Sequence, residues 1–203
     1  MKALWILMPL AVLGCFATTA SMSLEPQPAK PGEIQMRQTA QKAMNDGNFK
    51  DAYDQFRKLA LDPKSDPKEV PHDLVRAINC LSQINQANQI DAFREAVIEA
   101  HAGNWRLLQA AAQSYMDGEH YGFMIAGEFQ RGQHRGGGNV VNSQARDRVR
   151  ALQLMHQAMP LAEQEGTAEL VAGRPSAPSV LIAVTSFFEQ FGRMILGDQG
   201  WQE

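Results

Sequence analysis

The chain has 203 residues, 44% of them hydrophobic and 20% charged, the composition of one medium-sized globular domain with a real core. Its formal net charge of −3 is small, so nothing global suggests nucleic-acid binding.

The N-terminus reads as an export signal rather than as part of the fold. Met1-Lys2 is a short positive start, and residues 3–13 are an apolar run of roughly ten residues, too short to span a bilayer as a stable helix. Two processing readings stand side by side. Thr18-Thr19-Ala20 offers small residues before a cut after Ala20, so that residues 1–20 form the signal peptide. Val12-Leu13-Gly14-Cys15 has the order of a lipobox, with Cys15 the residue to be lipidated. Residues 21–31 carry three prolines without an apolar period and read as an extended tether. Residues 32–203 are then one helical domain. With Cys15 in the signal or carrying lipid, Cys80 is left without a disulfide partner, and its place between Ile78 and Leu81 makes it a buried, inert thiol.

From residue 36 the chain reads as helix after helix. Ala40, Ala43 and Met44 mark the inner face of a first helix, which Asp46-Gly47-Asn48 ends. Phe49, Ala52, Tyr53, Phe56, Leu59 and Ala60 recur at helical spacing in a second, ended by Leu61-Asp62-Pro63. Pro71 opens a third helix whose stripe is Leu74, Ala77, Ile78, Leu81 and Ile84. A polar turn over residues 85–89 precedes the stripe of Ile90, Phe93, Val97 and Ile98. Gly103 breaks that helix, and Asn104 is placed to cap the next, which carries Trp105, Leu108, Ala111, Ala112 and Tyr115. Residues 121–129 are apolar but hold Gly122 and Gly127, which weaken a helix. Strand-type alternation is confined to Asn139-Val140-Val141. After a Gly-rich basic loop over residues 131–142, Val149, Leu152, Met155 and Met159 form a stripe, and Pro160 kinks or ends its helix. Residues 166–176 read as loop. Pro178 opens a last helix with Leu181, Val184, Phe187, Phe188, Phe191, Met194 and Ile195 inside. Residues 197–203 resemble the turn into a further helix, which predicts an uncovered apolar face on the last one.

The run Gly47-Asn48-Phe49-Lys50-Asp51-Ala52, then Phe56, then Leu61-Asp62-Pro63, resembles a tetratricopeptide repeat: a glycine for the tight turn, a small residue where two helices come close, aromatics in the groove between them. The expected fold class is therefore all-α, tandem antiparallel helical hairpins in a right-handed solenoid.

The chemistry on offer is thin. Cys80-Leu81-Ser82-Gln83 has the Cys–Gln spacing of an internal thioester but Ser82 where Glu is usual. Gly132-Gln133-His134-Arg135-Gly136-Gly137-Gly138 lacks the Lys and Ser or Thr of a phosphate loop. The five histidines have no metal-ligand spacing. The residues that invite a partner are the local basic cluster of Arg131, His134, Arg135, Arg146 and Arg150, suited to a carboxylate or an acidic protein surface. No catalytic residue, cofactor or metal is expected.

Longer runs carry a second resemblance. Asn104-Trp105-Arg106-Leu107-Leu108-Gln109-Ala110-Ala111, His120-Tyr121-Gly122-Phe123, residues 131–138 and 146–155, and Arg193-Met194-Ile195-Leu196-Gly197 are similar to the N-terminal helical region of large bacterial alpha-2-macroglobulin-like proteins. That resemblance implies a periplasmic or envelope location and a role in trapping proteases. The family's thioester and its β-domains lie outside the resembling region. The chain is therefore expected to be an exported protein-interaction module, its partner a protein and, by the resemblance, macroglobulin-like domains. The alternative is an independent envelope lipoprotein scaffold, touching the membrane only through lipid on Cys15.

Overall fold

The computed structural model describes residues 30–133, 135–136, 138–174 and 176–197. The expected export signal, the candidate lipidation residue Cys15, most of the expected 21–31 tether, His134 and residues 198–203 lie outside them. Among the described residues the chain forms seven α-helices and one small sheet.

The helices follow from the apolar spacing. Helix α1 (Pro31–Asn45) turns at Gly47, whose φ of +80° is the left-handed conformation that glycine adopts without strain, into α2 (Phe49–Leu61). Ala52 and Phe56 of α2 are fully buried. Helix α3 (Val70–Gln83) packs on α2 and α5, and α4 (Ile90–Ala100) follows a short 3₁₀ turn over Ala87–Gln89. Helix α5 (Trp105–Met116) is capped by the Asn104 side chain, which accepts a hydrogen bond from the Leu107 amide. Tertiary contacts join each helix to the next layer. Tyr53 of α2 meets Phe93 of α4 edge-on at 5.8 Å between ring centroids. Arg37 of α1 pairs with the buried Asp73 of α3 at 2.9 Å. The Nε2 of His101 donates to the Ala60 carbonyl at 3.0 Å.

Two expectations are corrected. Residues 121–142 are not helix and loop alone but a three-stranded antiparallel sheet: β1 (Tyr121–Ile125), β2 (Glu128–Arg131) and β3 (Asn139–Asn142), in the order β2-β1-β3. Ile125 pairs with Glu128, so Ala126-Gly127 is a two-residue hairpin turn with φ of +50° and +86°. Positive φ at both central residues is what matches such a turn to strand twist. Gly122 is buried because the Phe129 ring lies over it: a Cβ there would stand 2.8 Å from two ring carbons.

The second correction concerns α6 (Gln144–Ala172), which runs for 29 residues through Pro160 and into the expected 166–176 loop. Pro160 lies on the exposed side of the helix. Gly166 is buried and faces Val184 and Leu181 of the next helix. The helix ends at Gly173, again in the left-handed conformation. Helix α7 (Ala177–Leu196) then returns along α6, with Phe187 edge-on to Trp105 at 5.7 Å.

Only Phe187 and Met194 of α7 are buried, and Ile182, Ile195 and Leu196 are more than half exposed. Among the described residues it is the one helix long and apolar enough to cross a membrane, with 20 residues and a mean hydropathy of 1.3. Arg148 of α6 hydrogen-bonds the Met194 and Ile195 carbonyls, setting a cation at the negative end of α7.

Candidate interaction groove and the ion cluster behind it

Of the basic cluster read from the sequence, Arg131 is turned inward, and Arg146 and Arg150 are tied to carboxylates of the chain itself. Arg131, at the end of β2, is 3% exposed. Its guanidinium holds Asp91 of α4 at 2.8 and 3.1 Å and Asp147 of α6 at 2.9 Å through two nitrogens, and it donates to the Glu119 carbonyl. Arg146 reaches Asp91 at 2.7 Å and Asp147 at 2.8 Å while its guanidinium stacks over the Phe129 ring at 4.1 Å. Arg150 grips Glu95 of α4 in a two-point pair at 2.9 and 2.6 Å. Arg135 is exposed in the loop before β3. Three of the five expected partner-binding residues, Arg131, Arg146 and Arg150, thus already hold carboxylates of their own chain.

The electrostatics follow from that geometry. Burial alone would raise the Asp147 carboxyl. Its hydrogen bonds from Arg131, Arg146 and Ser143 overcome this and hold it well below the usual carboxylate range. Asp91 and Glu95 are lowered against the same burial penalty, Asp91 by Arg131 and Glu95 first by Arg150. Tyr115 is pushed up to about 12 by burial and by the hydrogen bond it donates to Glu95. Arg94, 1% exposed, lies 3.8 Å over the Tyr115 ring, and burial pulls its pKa down.

This cluster fixes one loop. The Glu119 carbonyl is held by Arg131, and the His120 ring joins Asp147 at 3.1 Å to the Met116 carbonyl at 3.0 Å. Residues 117–120 are thereby pinned at the C-terminal end of α5, where they border a groove.

That groove lies along α3 and α5, closed on one side by Gln190 of α7, with a volume of about 590 Å³, within the range of ligand sites. Val75, 48% exposed, and Ile78 form its apolar strip. A row of amides crosses it: Gln109 donates to Gln190 at 2.5 Å, Gln190 donates to Gln113, and Gln113 donates to Asp117 at 2.6 Å. The lining cation, Arg106, is bound at 2.6 and 2.9 Å by Glu165, which also accepts from the Trp105 indole.

Sequence reasoning missed Asp91, Glu95 and the whole groove. Asp91 and Glu95 share one face of α4, a spacing that is readable, but apart from Arg94 beside Asp91 their arginine partners lie 40 to 55 residues away. Among the described residues no group of three or more His, Cys, Asp or Glu is arranged to hold a metal ion. Compared with known proteins, the chain matches no family model, no curated protein and no solved structure.

Proposed function

We propose that the chain is an exported protein–protein interaction module, a tetratricopeptide-like right-handed solenoid that forms the leading helical segment of an envelope macroglobulin-like protease-trap system. It acts by binding and takes no cofactor. The observation that carries this reading is the open groove along α3 and α5, apolar on one wall and crossed by a row of amides. The α1–α2 hairpin supports the repeat reading: Gly47 turns it and Ala52 is fully buried between helices. The test is chemical cross-linking in cells that express the full chain, with wild type and a Val75→Glu, Gln113→Arg groove variant compared. A cross-linked partner carrying macroglobulin β-domains, lost in the variant, is the expected result. A partner set unaffected by the groove variant refutes the role of the groove.

A second reading, an independent envelope lipoprotein scaffold, draws on Val12-Leu13-Gly14-Cys15 followed by the proline-rich tether. Fatty-acid labelling that is lost in Cys15→Ser, with no macroglobulin partner recovered, favours it.

A further inference from the structure

The polarity of the groove is set at one end by two carboxylates. Asp117 is the C-cap of α5 and Glu119 stands two residues later, both exposed and both lining the groove. Asp117 accepts a hydrogen bond from the uncharged Gln113, and neither carboxylate is in an ion pair among the described residues. They also sit at the negative end of the α5 macrodipole. A carboxylate in that place is disfavoured, whereas a cation is favoured. Local folding preference therefore argues against acidic residues here.

The rest of the groove does not neutralise this end. Arg106, the lining cation, is engaged by Glu165 in a bidentate pair. The main chain of the loop is held in place, since Arg131 takes the Glu119 carbonyl and His120 takes the Met116 carbonyl. Behind this end, Arg94 and Arg131 bond the Ser114 and Glu119 carbonyls, but both guanidiniums are buried and face Asp91, so two exposed carboxylates without an ion pair among the described residues stand at one end of a preformed groove.

The remaining lining fits main chain. Each glutamine amide has two N–H donors and a carbonyl with two lone pairs, and the Gln109–Gln190–Gln113 row uses one donor of each. Amides left with matched donors and acceptors pair best with other amides, those of an extended peptide. Val75 and Ile78 offer an apolar seat beside them. The negative pole repels phosphates, which sets nucleic acid aside.

We infer that the groove takes an extended peptide that lays a cationic group, a Lys or Arg side chain or a free N-terminus, against Asp117 and Glu119, with an apolar side chain over Val75 and Ile78. This rests on the reading of the chain as a protein-interaction module, and it reverses the sign of the partner that the arginines of the sequence suggest.

The test uses random dodecapeptides displayed on phage, selected in parallel on the immobilised full chain, on an Asp117→Lys, Glu119→Lys variant and on a Val75→Glu variant. Both charge changes fall on exposed side chains at a helix C-terminus that favours lysine, so the variant is expected to keep the helical circular dichroism of the wild type. Wild type enriches peptides with Lys or Arg near one end and an apolar residue a few positions away. The charge-reversed variant loses them and enriches Asp or Glu. A synthetic peptide of the enriched sequence, followed by fluorescence anisotropy, weakens at least 10-fold on the charge-reversed variant and several-fold between low and high salt. Enriched peptides with no basic bias, or with affinity unchanged by the charge reversal, overturn the cationic pole while leaving a peptide groove in place. Enrichment that survives Val75→Glu, or no enrichment at all, overturns the groove itself.

Discussion

Replacing Arg131 with methionine tests whether the buried ion cluster holds the sheet to the helices. Methionine keeps most of the volume and removes four charged hydrogen bonds to Asp91 and Asp147. Asp147 is fully buried and keeps Ser143, His120 and the half-exposed Arg146 as partners, so it is not stranded completely. Breaking one side of a buried pair costs about 3–5 kcal/mol, and the surviving partners place the expected loss near the lower end, about 3 kcal/mol. For a chain of this length that lowers Tm by about 6–12 °C. The assay is urea denaturation followed by far-UV circular dichroism, at pH 7 and in steps down to pH 3. Asp91 and Asp147 are depressed carboxylates, so the stability they contribute is present above their unfolded pKa of about 3.9 and is lost as pH falls towards their folded values. Wild type should therefore lose stability steeply below about pH 5, and Arg131→Met should lose less over the same interval. A loss under about 1 kcal/mol at pH 7, or an acid profile parallel to wild type, refutes the reasoning.

Two further perturbations probe other links. In Gly122→Ala the new Cβ would stand 2.1 Å from the Gln130 carbonyl oxygen, a clash with backbone that a rotamer change cannot relieve. Strands β1 and β2 must separate, and a destabilisation of about 2–4 kcal/mol is expected in the same urea assay, with faster amide exchange in both strands; unchanged exchange counts against the described register. His101, 8% exposed, is held below the usual histidine pKa by burial. A histidine depressed in the fold contributes stability that is full above its unfolded value of about 6.5 and lost as pH falls below it, by up to about 1.4 kcal/mol per pH unit. Wild type should melt at lower temperature at pH 5.5 than at pH 7.5, and His101→Gln should flatten that component; identical slopes would sink the assignment.

The helices are legible in the sequence because their apolar faces are periodic and their ends are chemically marked. Asn104 caps α5 through the Leu107 amide, as its position before Trp105 predicts, and Pro178 stands in the first turn of α7. Of the sheet only β3 is legible, in Asn139-Val140-Val141; β1 and β2 are not, because Gly122 and Gly127 mark a weak helix as readily as a hairpin. In the fold one glycine makes room for the Phe129 ring and the other completes a hairpin turn with Ala126. The length of α6 is obscured by Pro160 and Gly166, each a helix breaker on average. Here an exposed position accommodates the first, and the second is buried facing Val184 and Leu181 of α7, within a helix that continues past it. The arginine cluster is visible as composition, but burial and distant carboxylates decide what a charge does, and neither can be read from neighbours in sequence.

The cluster and the groove are one device seen from two sides. A buried ion network is weak evidence for stability, since well-packed apolar residues of similar volume often hold a core as well or better. Apolar contacts are non-directional, however, and would tolerate the sheet at several offsets on α4 and α6. Arg131 is directional: its donors are satisfied only when β2, Asp91 on α4, Asp147 on α6 and the Glu119 carbonyl all converge. The network therefore specifies position, and the element with most to gain is the 117–120 loop, which has few apolar anchors of its own. Held there, Asp117 and Glu119 meet an incoming chain as a fixed pole, so that binding need not also order the loop. The arginines that resemble a partner's landing site are, in this fold, the reason that carboxylates can serve as one.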